Sequence, residues 1–129
     1  MNSAEVLKPF VDSPRLAAIK ENLRQCTGTE EYHRAGLGLI FTDGVKWLAD
    51  DAECHWLISD LSIVAQMKFS KIPFQLWKFR SKDSVGLLTM QEDTGSPVLY
   101  EQKYEYTDFP EGEIKLYVCD GIILLPSEY

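Results

Sequence analysis

Apolar residues recur along this chain with two periods, a helical one in its first half and an alternating one in its second. Leu16, Ile19, Leu23 and Cys26 share one face at helical spacing. Asp12 or Ser13 supplies a capping side chain, and Pro14 stands where a missing N–H matters little. These positions predict an amphipathic helix over 14–26, with Gly28 as its C-terminal cap. Thr29 to Gly38 is polar, carries two glycines and reads as a loop. Leu39 to Phe41 is a short apolar run that ends at Thr42-Asp43-Gly44. Asp-Gly between apolar runs is a hairpin signal, so Val45 to Ala49 is expected to return as the partner strand. A second helix, about 51–66, is expected to open at Asp50 with Glu53 three residues on. Its apolar face would carry Cys54, Leu57, Ile58, Leu61 and Val64, and its wet face His55, Ser59, Ser62 and Gln66.

From Pro73 onward the period becomes two. Phe74 to Arg80 and Val85 to Glu92 read as strands joined by a polar turn. Asp93-Thr94-Gly95 is the next turn. In the run after it, Val98, Tyr100, Tyr104 and Tyr106 point one way and Glu101, Lys103 and Glu105 the other, as in a half-buried antiparallel strand. Ile114 to Cys119 and Ile122 to Leu125, joined by Asp120-Gly121, make a final hairpin. The expected architecture is α+β: two amphipathic helices packed on one face of a five- to seven-stranded, mainly antiparallel sheet, in one domain spanning 1–129.

Composition narrows the class. Hydrophobic residues fill 45% of the 129 positions, enough for one packed core without a staple. Thirteen Lys and Arg against 20 Asp and Glu give a net charge of -7, which disfavours phosphate-driven nucleic-acid binding and attraction to a membrane surface. Lys68, Lys71, Lys78, Arg80 and Lys82 do cluster, and are expected to guard a strand edge. Met1 to Phe10 shows no signal-peptide pattern, Pro9 limits any helix there, and no run of apolar residues is long enough to span a membrane. Cys26, Cys54 and Cys119 are an odd number without paired spacing, which fits reduced thiols in the cytoplasm.

Candidate chemistry is sparse. The histidines and cysteines offer no zinc spacing, and Gly36-Leu37-Gly38 is too short for a nucleotide fingerprint, so no metal and no cofactor are expected. The carboxylates Asp43, Asp108 and Glu128, with His55 as a base, would suit a metal-dependent hydrolase or nuclease if the fold gathered them. Trp47, Trp77, Tyr106 and Tyr129 are candidates for a partner-binding aromatic patch. The leading expectation is a non-enzymatic interaction module whose partner is another protein or a second copy of itself in a homodimer; the metal-dependent enzyme is the alternative.

Four segments are familiar as sequence: Thr42 to Ala49, Phe74 to Lys78, Tyr106-Thr107-Asp108-Phe109-Pro110, and Leu124 to Tyr129 with its Leu-Pro-Ser-Glu-Tyr ending. They resemble an uncharacterised bacterial domain-of-unknown-function family, from about residue 37 to the end. The resemblance implies a bacterial, cytoplasmic protein and supplies no activity, cofactor or catalytic residue.

Overall fold

A computed structural model describes residues 11–36 and 38–129. The expectations placed on residues 1–10 and on Leu37 lie outside the described residues. The helices are α1 (Pro14–Leu23), α2 (Asp43–Asp51) and α3 (His55–Phe69), and a short 3-10 turn, Pro126–Glu128, comes after the last strand. Seven strands form one sheet: β1 (Tyr32–Gly36), β2 (Leu39–Thr42), β3 (Phe74–Lys82), β4 (Val85–Gln91), β5 (Val98–Tyr104), β6 (Gly112–Cys119) and β7 (Ile122–Leu124). Their spatial order is β1-β2-β7-β6-β3-β4-β5. Every neighbouring pair is antiparallel except β2 with β7, which run parallel. The α+β class and the mainly antiparallel sheet agree with the sequence, with three helices among the described residues in place of two. No helix among the described residues is long and apolar enough to cross a membrane.

The departures from expectation have local causes. The first helix begins as expected, with the Ser13 hydroxyl accepting from the Leu16 N–H at 3.2 Å, but it stops at Leu23. Gly28 therefore lies in the loop beyond it instead of capping. The expected polar loop contains β1, an edge strand paired with β2. Thr42-Asp43-Gly44 is a helix start, not a hairpin turn: the Thr42 hydroxyl accepts from the Val45 N–H at 3.3 Å. Val45, Leu48, Ala49 and Ala52 are then buried at helical spacing, so the segment is α2 and not a strand. Asp50 and Asp51 end that helix, Glu53 takes a positive φ of 53°, and α3 starts only at His55. The basic cluster does not guard an edge, because β3 is an interior strand. Lys78 stands opposite Lys115 and Thr89, and Arg80 is ion-paired with Glu113.

Cross-strand register sets the core. Trp77 faces Met90 and Leu116, Phe79 faces Leu88 and Ile114, and Val118 faces Ile123, all in one buried cluster with residues of all three helices. Gln75 is buried among them without an unmet group. Its amide donates to the Phe69 and Ile72 carbonyls at 2.9 and 3.1 Å and accepts from the Trp77 indole at 2.9 Å, tying the end of α3 to β3.

Helix α3 touches both edges of the sheet. Near its start, Trp56 and Asp60 meet Tyr104 of β5; near its end, Phe69 and Lys68 meet Tyr100. It therefore runs along β5, yet its middle packs on β1, with Ser62 directed at the Ala35 carbonyl. Six strand spacings span about 29 Å, whereas a helix is about 10–12 Å wide. The sheet must curl around α3 for both edges to reach it. This explains why Ser62, expected on the wet face, is buried, and why α3 is apolar around most of its circumference.

Candidate functional site

Parallel pairing of β2 with β7 decides which side chains meet. Ile40 lies beside Ile122 and Phe41 beside Ile123, so the two strands end on the same side. Strand β2 leads directly into Thr42 and the first turn of α2, and β7 leads into the C-terminal segment Leu125 to Tyr129. Glu128 closes onto α2 as a result. Its Oε1 accepts from the Thr42 hydroxyl at 2.6 Å and from the Leu125 N–H at 2.9 Å. Gly44 makes room, since a Cβ there would lie 2.7 Å from Leu125 Cδ1 and 2.9 Å from the Glu128 carboxyl carbon. Oε2 of Glu128 is buried without a hydrogen-bond partner.

Asp43 is directed to the other flank of the same helix end. Its Oδ1 is 2.8 Å from His33 Nε2, and its Oδ2 accepts from the Glu30 and Glu31 N–H groups at 3.0 and 3.3 Å. The Asp43 N–H is in turn held by the Thr29 hydroxyl at 2.9 Å. The His33 bond first, and the Glu30 N–H next, hold the Asp43 carboxyl down to about 2. His33 is positioned by β1–β2 register: it lies opposite Phe41, two residues before Asp43, and its ring sits against the Phe41 ring at 5.4 Å. Glu31, His33 and Asp43 bring one ligand atom each within 4.8 Å of one another, a mixed nitrogen and oxygen set. Beside it is an open concavity of about 610 Å³ whose lining includes Cys26, Thr29, Asp43, Gly44 and Trp47. Burial raises the Cys26 thiol, and the charges of Glu128 and Asp43 push it the same way, so it is not an activated nucleophile.

The four carboxylate and histidine candidates thus separate into one pair and two singles. Asp43 and Glu128 flank the start of α2. His55 is elsewhere, its Nε2 2.6 Å from Asp50, which also accepts from Lys46 at 2.7 Å. Asp108 comes after Thr107, whose N–H donates to the Ser84 carbonyl at the β3–β4 turn. That is three strand spacings from β2, about 14 Å along the sheet. Its charge is felt instead by Cys54, a buried thiol pushed up to about 12, chiefly by burial. Of the four candidate aromatics, Trp47, Tyr106 and Tyr129 are exposed, Tyr129 with its ring against Phe74 and Tyr117. Trp77 is a correction: only 1% of it is exposed, so it belongs to the core.

A second surface lies at the opposite edge. Among the described residues, β5 pairs with β4 on one side and with no strand on the other. Val98 and Leu99 at its start and Tyr106 just past its end are exposed, as are Ile63 and Met67 on the adjoining α3. These five are most of the nine exposed large apolar side chains among the described residues. Sequence reasoning missed Ile63 and Met67, although their i, i+4 spacing outside the main apolar stripe is a signal. It missed His33 because nothing apolar marks β1 as a strand.

The chain belongs to DUF6876, a family of unknown function, whose model matches residues 17–129. No curated protein and no solved structure matches it.

Proposed function

We propose that this protein is a non-enzymatic interaction module of the bacterial cytoplasm that engages a protein partner by strand addition at the open edge of β5. The observation that carries the reading is the concentration of exposed apolar side chains along that edge. An unpaired edge presents a row of backbone donors and acceptors, and apolar neighbours beside it add the burial that strand addition needs. The other edge is poorly suited. β1 has five residues against seven in β5, and α2 as well as α3 packs on it. Three free cysteines agree with a reducing compartment. Light scattering at micromolar concentration, with affinity capture on wild-type and Leu99→Lys bait, tests the reading. A partner or self-association lost in Leu99→Lys is expected; a strict monomer that retains nothing would sink it.

A second reading keeps a metal-dependent hydrolase, moved onto Glu31, His33 and Asp43. Their ligand atoms suit a divalent ion that accepts mixed nitrogen and oxygen donors, such as zinc. Calorimetric titration with zinc, repeated on His33→Ala, decides it: heat that is absent from wild type removes this reading.

A further inference from the structure

We infer that the strand added at β5 comes from a second copy of this chain, running antiparallel about a twofold axis at Gln102. This rests on the strand-addition reading and goes beyond it by fixing occupant and register. Centred on Gln102, the pairing sets Glu101 opposite Lys103 of the second copy, and Lys103 opposite its Glu101. Tyr100 faces the other Tyr104, within the regular part of β5 that lies past the register shift at Leu99. Both charged residues are exposed and on the same face of β5.

Neighbouring registers fail on simple grounds. Moving the axis to Glu101 sets Glu101 against itself; moving it to Lys103 sets Lys103 against itself. Like charges directly opposite are destabilising. An axis between residues, a one-residue slip in register, would set the Tyr100 and Tyr104 face of one copy against the charged face of the other. A lysine on an edge strand ordinarily repels added strands. Here Glu101, two residues earlier, provides the charge that the copy's Lys103 meets.

Helix α3 extends the contact. Trp56, Asp60, Ile63 and Met67 succeed one another at helical spacing, and the first two touch Tyr104. Ile63 and Met67 therefore project beside the same edge, 46% and 74% exposed. Because Asp60 meets Tyr104 and Lys68 meets Tyr100, the middle of α3 lies over Gln102. The twofold axis consequently brings Ile63 and Met67 of the two copies toward each other. Strand β5 with two helix side chains offers fewer than the roughly 20–30 residues a side of a standard interface, which puts the dimer among weak, transient contacts.

The test is a charge-swap series read by sedimentation equilibrium from micromolar to submillimolar concentration. Glu101→Lys and Lys103→Glu alone each create two like-charged pairs, and each is expected to weaken dimerisation by about tenfold to a hundredfold. The double variant, and an equimolar mixture of the two single variants, restore opposite charges and are expected to recover wild-type association. Gln102→Cys, with Cys26 and Cys119 replaced by serine, is expected to form a disulfide-linked dimer on mild oxidation, since antiparallel partners at a twofold lie within disulfide reach. A wild-type monomer at every concentration overturns the inference, and capture of another protein that Leu99→Lys abolishes would then leave strand addition standing. A dimer indifferent to the swaps and not cross-linked through residue 102 overturns both, because its interface is elsewhere.

Discussion

Removing the carboxylate of Glu128 should loosen the C-terminal segment from α2 by an amount the geometry bounds. Glu128 Oε1 holds two donors, the Thr42 hydroxyl at 2.6 Å and the Leu125 N–H at 2.9 Å. A hydrogen bond to a charged acceptor contributes about 1.5–3 kcal/mol. A negative charge beside the first turn of a helix adds about 0.3–1 kcal/mol. Against this, Oε2 is buried without a partner, and relieving it returns about 1 kcal/mol. Glu128→Ala is therefore expected to destabilise the protein by about 2–6 kcal/mol. Thr42→Val removes the same bond from its other end and also the cap on the Val45 N–H, the latter costing about 1 kcal/mol. Because both variants delete one shared contact, the double variant should fall short of the sum by about 1–2 kcal/mol. Urea unfolding of the four proteins reads this as shifts in midpoint at constant slope. A coupling under about 0.5 kcal/mol would refute the claim that Glu128 and Thr42 act as a unit.

Three further outcomes are expected. Asp43 has a folded-state pKa of about 2, below its ordinary 3.8, so its contribution is complete above about pH 4 and is lost as pH falls through about 2; Asp43→Asn should flatten the acid limb of melting temperature against pH, and an unchanged limb would contradict the His33 bond as its cause. Cys54 is fully buried with its thiol pushed up to about 12, so DTNB should label the partly exposed Cys26 and Cys119 in the native protein and reach Cys54 only on unfolding. Burial, then the 2.7 Å bond to Asp60, raises the Tyr104 hydroxyl well above the usual tyrosine range, so Tyr104→Phe should leave the amplitude of the tyrosinate transition near pH 10 unchanged while destabilising the fold by about 1 kcal/mol, measured by urea unfolding.

Strands β3 to β7 were legible because each reads as alternation or as an apolar run bounded by turns. The segment after Phe41 was not, for a physical reason. Threonine, aspartate and glycine favour both a hairpin turn and a helix start, since each satisfies backbone groups by local side-chain bonds or by conformational freedom. The deciding signal was the spacing of Val45, Leu48, Ala49 and Ala52, which is helical and incompatible with a strand of alternating faces. β1 had no signal of its own, because the inward position at Ala35 is small and its neighbours His33 and Arg34 are polar. The count of wet positions on α3 was wrong because the sequence cannot show that a sheet will curl until both its edges meet one helix.

The candidate site was half legible, and the missing half depends on a non-local event. Asp43 and Glu128 were each chosen for their chemistry, 85 positions apart in the chain, and nothing in either segment says that they flank the same helix start. They come to flank one helix start because β2 and β7 are the one parallel pair in an otherwise antiparallel sheet of the described residues. Had that pair been antiparallel, the C-terminal segment would leave the sheet at the end opposite α2, and Glu128 could not reach Thr42. Gly44 fits the same logic, since its missing Cβ is occupied by Leu125 and Glu128 from the returning segment. Gly44→Ala therefore sets a gain of about 1 kcal/mol in helix propensity against a clash of about 1–3 kcal/mol. Net destabilisation is the expected sign. A stabilised Gly44→Ala protein would mean that the C-terminal segment does not seat on α2, and that the glycine belongs to the hairpin turn that Asp43-Gly44 suggests as sequence.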